Sequence, residues 1–162
     1  MPAVEDLHAQ TAVRPALLGL NAQSVIETSP LSAERFDWMI AGARIATFVP
    51  PAGAFLIAFA HDDVFDGGHF LWFRARLPGF LYVDRIVVAD ASRGRGYGRL
   101  LYEDLFTRAR AAGIDRIVCE VNEVPPNPGS AAFHARLGFA EIGRATLDGG
   151  AKTVRYLARD LA

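Results

Sequence analysis

FLYVDRIVVADASRGRGYGRLLYEDLFTRARAAGIDRIVCEV, residues 80–121, is the stretch from which the fold can be read. Phe80 to Ala89 is dense in β-branched and aromatic residues and reads as a strand. Asp90 to Gly96 is a turn. Tyr97 to Ala112 repeats apolar residues at Tyr97, Leu101, Leu105, Ala109 and Ala112, the spacing of one helical face, and Gly113 stops it. Ile114 to Val121 is a second strand. Strand, helix and strand in this order form a crossover unit, so the two strands are expected to be parallel with a right-handed connection.

The flanking chain adds strands and helices to that unit. Downstream, a Pro-rich loop at 122–128 leads into a short helix over Gly129–Leu137. The runs Phe139–Leu147 and Thr153–Leu157 flank Asp148-Gly149-Gly150 as a hairpin. Upstream, Ala43–Val49 and Ala54–His61 form another hairpin around Pro50-Pro51-Ala52-Gly53. Before it, Pro30-Leu31-Ser32 opens a helix over Ala33–Gly42, with Phe36, Met39 and Ile40 at helical spacing. Val13–Leu20 reads as a short β-like run, residues 1–12 as a tail, and 13–162 as a single domain. Asp62–Gly79 is a long connection, acidic and then aromatic, of the kind that carries function.

Composition bounds the function. At 162 residues with 51% hydrophobic and 22% charged residues, the chain can bury one core, which excludes disorder and coiled coil. Seventeen basic against eighteen acidic residues give a net charge of −1, with no basic field for nucleic acid or an anionic membrane. A lone cysteine makes neither an intrachain disulfide nor a thiolate zinc site and fits a reducing compartment. The N-terminus lacks the apolar core of a signal peptide. The charge-free stretch 45–60 is broken by prolines and falls short of the ~20 residues that cross a bilayer. A cytoplasmic protein is expected, with no nucleic-acid or membrane partner; a homodimer stays open.

Between the first strand and the long helix stands Arg93-Gly94-Arg95-Gly96-Tyr97-Gly98-Arg99. Glycines at a helix entrance let backbone approach a ligand, and the first amides of a helix lack internal acceptors, so a phosphate is the expected guest. Arg93, Arg95 and Arg99 add fork-shaped donors. The P-loop pattern fails because Arg99-Leu100 follows Gly98. The dinucleotide pattern GxGxxG fails because the run is GxGxG. The other reading is a glycine-rich turn that merely begins a solvated helix.

Arg93-x-x-Gly96-x-Gly98, after an apolar strand and before an amphipathic helix, resembles motif A of the GNAT superfamily of N-acetyltransferases, Gln/Arg-x-x-Gly-x-Gly/Ala. Downstream, Asn127-Pro-Gly-Ser130-Ala-Ala-Phe133-His134-Ala-Arg-Leu137-Gly138-Phe139 resembles that family's Asn-x-x-Ala-x-x-Phe-Tyr-x-x-x-Gly-Phe segment at the same spacing. The order of elements is similar as well, over nearly the whole chain. The resemblance implies a layered α/β fold: a central mixed, mostly antiparallel sheet, with one parallel strand pair that splays apart, flanked by helices. It implies acetyl-CoA as co-substrate, no metal, and a primary amine of a small molecule as acceptor. A protein N-terminus, a lysine side chain, or a non-catalytic acyl-CoA sensor are the alternatives.

The same resemblance puts the diphosphate of acetyl-CoA on the amides around Arg95–Leu100, namely Arg95, Gly96, Tyr97, Gly98, Arg99 and Leu100, beside Arg93 and Gly94. It puts the pantetheine arm along Ile86, Val87 and Val88, with Asn127 and Phe133 nearby. A bulge in that strand is implied, freeing an amide for the thioester carbonyl. An alkyl ammonium must lose a proton before it attacks. Asp84 and Glu120, on the two central strands, are the candidate bases; the alternatives are an Asp84–Arg salt bridge and a solvated strand end at Glu120. The departing thiolate needs a proton. The family's Tyr is replaced by His134, which either donates through a ring N–H or only packs and caps its helix. Cys119 reads as buried filling. His61 and His69 around Asp62, Asp63 and Asp66 read as a solvated loop rather than a metal site. That acidic loop is the candidate for attracting a cationic amine, with Phe70, Trp72 and Phe73 either walling the acceptor or lying in a core or dimer interface.

Overall fold

The computed structural model describes residues 2–24 and 28–162. Its centre is a seven-stranded sheet built from β1 (Glu5–Asp6), β2 (Ile45–Val49), β3 (Ala54–Ala60), β4 (Leu81–Val88), β5 (Arg116–Val124), β6 (Ala140–Leu147) and β7 (Lys152–Asp160). The strands lie in the order β1-β2-β3-β4-β5-β7-β6. Every neighbouring pair is antiparallel except β4 and β5. Five helices flank it: α1 (Arg14–Gln23), α2 (Ala33–Gly42), α3 (Gly68–Arg74), α4 (Tyr97–Ala111) and α5 (Pro128–Arg136). This is the mixed, mostly antiparallel sheet expected.

All seven residues of β3 (AFLIAFA) are buried, as a strand covered on both faces requires. One face packs α1, α2 and α3 through Leu17, Phe36, Met39, Ile40, Phe70 and Phe73. The other packs α4 through Leu101, Tyr102, Leu105 and Ala109, together with Leu137 and Phe139 after α5. Ser32 caps α2 by accepting from Arg35 N at 3.0 Å.

Three readings of the sequence are corrected. Val13–Leu20 is not a β-like run, because residues 14–23 form α1. Pro15, in its first turn, suits a helix start, and Leu17 and Asn21, one turn apart, are its buried residues. The connection 62–79 holds α3, which buries Phe70 and Phe73, three residues apart. Residues 2–12 are not a free tail: β1 pairs with β2, Leu7 N donates to Ala46 O at 2.8 Å, and Leu7 is wholly buried. The domain therefore begins before residue 13. Among the described residues no helix is long and apolar enough to cross a membrane.

Candidate active site

β4 and β5 pair only at Leu81↔Ile117 and Tyr82↔Val118, and beyond these the two strands separate. The gap is the floor of a cleft of about 650 Å³. From Val83 onward β4 alternates, with Arg85 and Val87 buried and Asp84, Ile86 and Val88 partly exposed. In the β3–β4 ladder Ala58 faces Val83 and Ile57 faces Arg85, so Asp84 is skipped. This is the bulge implied for that strand, and it occurs where the strands part.

α4 forms one end of the cleft. Its N-cap, Gly96, has φ +78°, a left-handed conformation costly for a residue with a Cβ. No side chain caps the helix, so the amides of Tyr97, Gly98 and Arg99 have no partner within it. Gly98 allows close approach for another reason: a Cβ there would stand 3.0 Å from the Phe133 ring on α5. Exposed backbone donors at a positive helix end, at the mouth of a long cleft, fit a diphosphate.

Of the residues expected to hold the cofactor, Ile86, Val87, Val88, Arg93, Gly94, Gly96, Tyr97, Gly98, Arg99, Asn127 and Phe133 line this cleft. Arg95 and Leu100 do not. Arg95 is exposed on the turn, and Leu100 leans on the core beneath α4. Arg93 pairs with Asp90 at 2.9 Å, and Asn127 caps α5 by accepting from Ser130 N at 3.3 Å.

Asp84, Glu120 and His134 line the same cleft. Asp84 Oδ2 receives Arg85 Nε at 2.7 Å, so the salt-bridge alternative describes what its carboxylate does. The rest of Arg85 is used as well, on Asn21 Oδ1 at 2.9 Å and on Ser29 O and Oγ. Glu120 is not a solvated strand end. Tyr82 donates to its carboxylate at 2.9 Å, and burial, followed by the charge of Asp84, pushes its carboxyl up to about 8.

His134 is 4% exposed and hydrogen-bonded at both nitrogens. Nδ1 lies 2.8 Å from the Ser130 carbonyl, which can only accept, and Nε2 lies 2.7 Å from the Tyr102 hydroxyl. Burial lowers its pKa and keeps the ring neutral. The one ring N–H therefore faces Ser130, and Nε2 accepts from Tyr102. A neutral His134 has no N–H left for a thiolate. Tyr102, to which sequence reading gave no role, lines the cleft, and burial raises its phenol well above its ordinary value. Cys119 is buried and its thiol is likewise raised, as suits filling.

A second cavity, about 260 Å³, adjoins the cleft and shares Asp84, Glu120 and Asn122 with it. Phe65, His69, Tyr82 and Lys152 are among its other walls. The acidic loop contributes little charge here: Asp62 and Asp63 pair with Arg44, and Asp66 with Arg35. Phe70 and Phe73 are core, and Trp72 stacks on Tyr156 at 3.9 Å. Burial, then Lys152, lowers the pKa of His69, whose Nδ1 lies 2.9 Å from Tyr156 OH. Among the described residues no group of three or more His, Cys, Asp or Glu is placed to hold a metal.

A parallel strand pair that opens beside an uncapped, glycine-led helix is the arrangement that the resemblance to the N-acetyltransferases implies. The Acetyltransferase (GNAT) family matches residues 22–139, and the chain belongs to it. Phosphinothricin N-acetyltransferase of Streptomyces coelicolor is 40% identical over 58 residues, 36% of this chain and 33% of that protein, so the match spans a third of the relative's length. The ribosomal-protein-S18-alanine N-acetyltransferase of Escherichia coli superposes with a TM-score of 0.73 at 19% identity, over 100% of this chain and 95% of its own. yncA from Salmonella typhimurium, solved with its cofactor acetyl-CoA, gives 0.72 at 16% identity, over 100% and 95%. At these identities the structural matches speak for the fold.

Proposed function

We propose that this chain transfers the acetyl group of acetyl-CoA to a primary amine of a small molecule by direct attack. The observation that carries the reading is the meeting of two cavities at Glu120, one ending on free helix amides and the other walled largely by side chains. The second cavity lies near the lower end of the ~300–1,000 Å³ usual for small-molecule sites. The acceptor named in the Streptomyces relative, phosphinothricin, is a small molecule too.

Bound acetyl-CoA supplies the activated acyl carbon. The amides of Tyr97, Gly98 and Arg99 hold its diphosphate, with Arg93 and Arg99 beside them, and Ile86–Val88 guide its arm. The bulge at Asp84 leaves backbone polar groups of β4 outside the ladder with β3, available to polarise the carbonyl. Glu120 takes the proton of the incoming ammonium, since a carboxyl raised to about 8 is a far better base than an ordinary one. Asp84, tied to Arg85, adds negative charge beside it. Tyr102 donates its O–H to the departing sulfur by turning about its C–O bond, and His134 positions that phenol. The sulfur, of ordinary thiol pKa ~8.5, needs only this hydrogen bond until solvent protonates it.

Thiol release measured across a panel of amines tests the reading. Turnover that falls at least a hundredfold in Glu120→Gln supports it; tight CoA binding with no turnover for any amine makes the chain a sensor instead. Separately, Gly96→Asp should weaken CoA affinity at least tenfold by placing a carboxylate against the diphosphate. Unchanged affinity removes the site.

A further inference from the structure

The smaller cavity has an uneven charge arrangement that says something about its occupant. Three basic side chains reach it: Arg35, Arg85 and Lys152. Arg85 is bonded to Asp84, Asn21 and Ser29, and Arg35 holds Asp66 through both terminal nitrogens. The Lys152 ammonium has neither an ion pair nor a hydrogen bond among the described residues. It is half-buried, and close enough for its charge to act on both His69 and Glu120.

Strand geometry fixes where this charge stands. Glu120 pairs with Tyr156 across the β5–β7 ladder, and Lys152 lies four positions before Tyr156 on the same strand. Positions 152, 154 and 156 share one sheet face, the face on which Val154 and Tyr156 join the core with α1–α3. Four residues of strand span roughly 13 Å at about 3.3 Å each. The flexible lysine stem can reach along that span, and the Lys152 and Glu120 side chains border the same cavity. Asp84, Glu120 and Lys152 thus border one cavity, and among the described residues Lys152 is the one of its three basic side chains without a partner.

We propose that the acceptor is an amino acid or close analogue, its amine at Glu120 and Asp84 and its carboxylate on Lys152. This rests on the function proposed above and narrows it: polyamines and plain alkylamines, which bring no anion, are poor acceptors. A carboxylate on Lys152 also orients the amine toward the cleft, so the pairing serves positioning as well as affinity.

The test compares the twenty amino acids with their matched decarboxylated amines in the thiol-release assay, using wild type, Lys152→Met and Lys152→Arg. The expected result is a kcat/KM at least tenfold higher for the best amino acid than for its decarboxylated partner. Lys152→Met should raise KM for that amino acid at least tenfold, leave the KM of the amine within twofold, and move kcat little; Lys152→Arg should restore most of the preference. Amines used as well as amino acids, or a Lys152→Met enzyme with unchanged preference, overturn the assignment while leaving acetyl transfer intact. Calorimetric titration of the same amino acids into the CoA-saturated protein separates the two claims. Lys152-dependent binding without turnover keeps the amino-acid site and refutes catalysis. Neither binding nor turnover of any amino acid refutes the amino-acid site, and absence of turnover with the amines as well refutes both.

Discussion

At the scale of single residues the site turns on two protons. Glu120 has its carboxyl pushed up to about 8 by burial and by Asp84, so the folded chain binds a proton there that the unfolded chain gives up near its ordinary value. Between roughly 4.5 and 8 the native state holds more protons than the unfolded one. Stability from this group is therefore greatest at the acid end of that window, falls as pH rises through it, and levels off above about 8. Glu120→Gln removes this slope. The variant should melt higher than wild type at pH 8.5 and lose its activity, a pair of changes read by thermal denaturation at several pH values alongside turnover. In wild type, kcat/KM should climb with pH to an inflection near 8. The second proton belongs to Tyr102. Tyr102→Phe should lower kcat roughly tenfold or more with CoA affinity unchanged. It also leaves His134 Nε2 unpaired in a buried site, at a cost of about 1–3 kcal/mol in denaturant unfolding. A variant with full kcat would transfer the donor role elsewhere.

Among the elements, α4 is the one whose sequence states its purpose. Gly96 at φ +78° and the missing side-chain cap produce free amides, and both follow from the quoted Arg93–Arg99 run. Gly96→Ala, which adds no charge, should cost about 1–2 kcal/mol of stability through the left-handed backbone alone; an unchanged urea midpoint would mean that the turn relaxes. The crossover unit, both hairpins and α2 were legible for the same reason: their periodicity is local. α1 and α3 were not, because a short apolar run such as Val13–Leu20 has no period that separates helix from strand. In α1 the overlooked sign was Pro15 in the first turn, and in α3 it was the Phe70–Phe73 spacing. The candidate site divided along the same line. The cleft-lining loop was readable as a contiguous motif, whereas Tyr102, Tyr82 and Lys152 matter through Glu120 and His134, which lie 32 to 38 residues away and come from other elements. No spacing rule joins them.

On the scale of the whole molecule, the sheet separates two cores, and the cleft lies where its strands part, between β4 and β5. β1 sits at the far edge, three strands from β4, roughly 14 Å away at the usual spacing of about 4.8 Å. Stability and chemistry should accordingly come apart when that edge is disturbed. The N-terminal segment is held by Leu7 in the core, by the Leu7 N–Ala46 O bond, and by Arg14, which donates to the carbonyls of Leu7 at 3.2 Å and His8 at 3.0 Å. Leu7→Ala leaves a cavity beneath the edge of the sheet and should cost about 2–5 kcal/mol in urea unfolding. Starting the chain at Val13 should cost at least as much, since it also unpairs the outer side of β2. In both variants the folded fraction should bind CoA with wild-type affinity, because none of the segment's described residues lines the cleft. Affinity measured by titration well below the melting temperature is the discriminating number. Weakening of more than about threefold in Leu7→Ala would mean that the edge of the sheet sets the opening between β4 and β5, and that the two halves of the molecule are mechanically coupled.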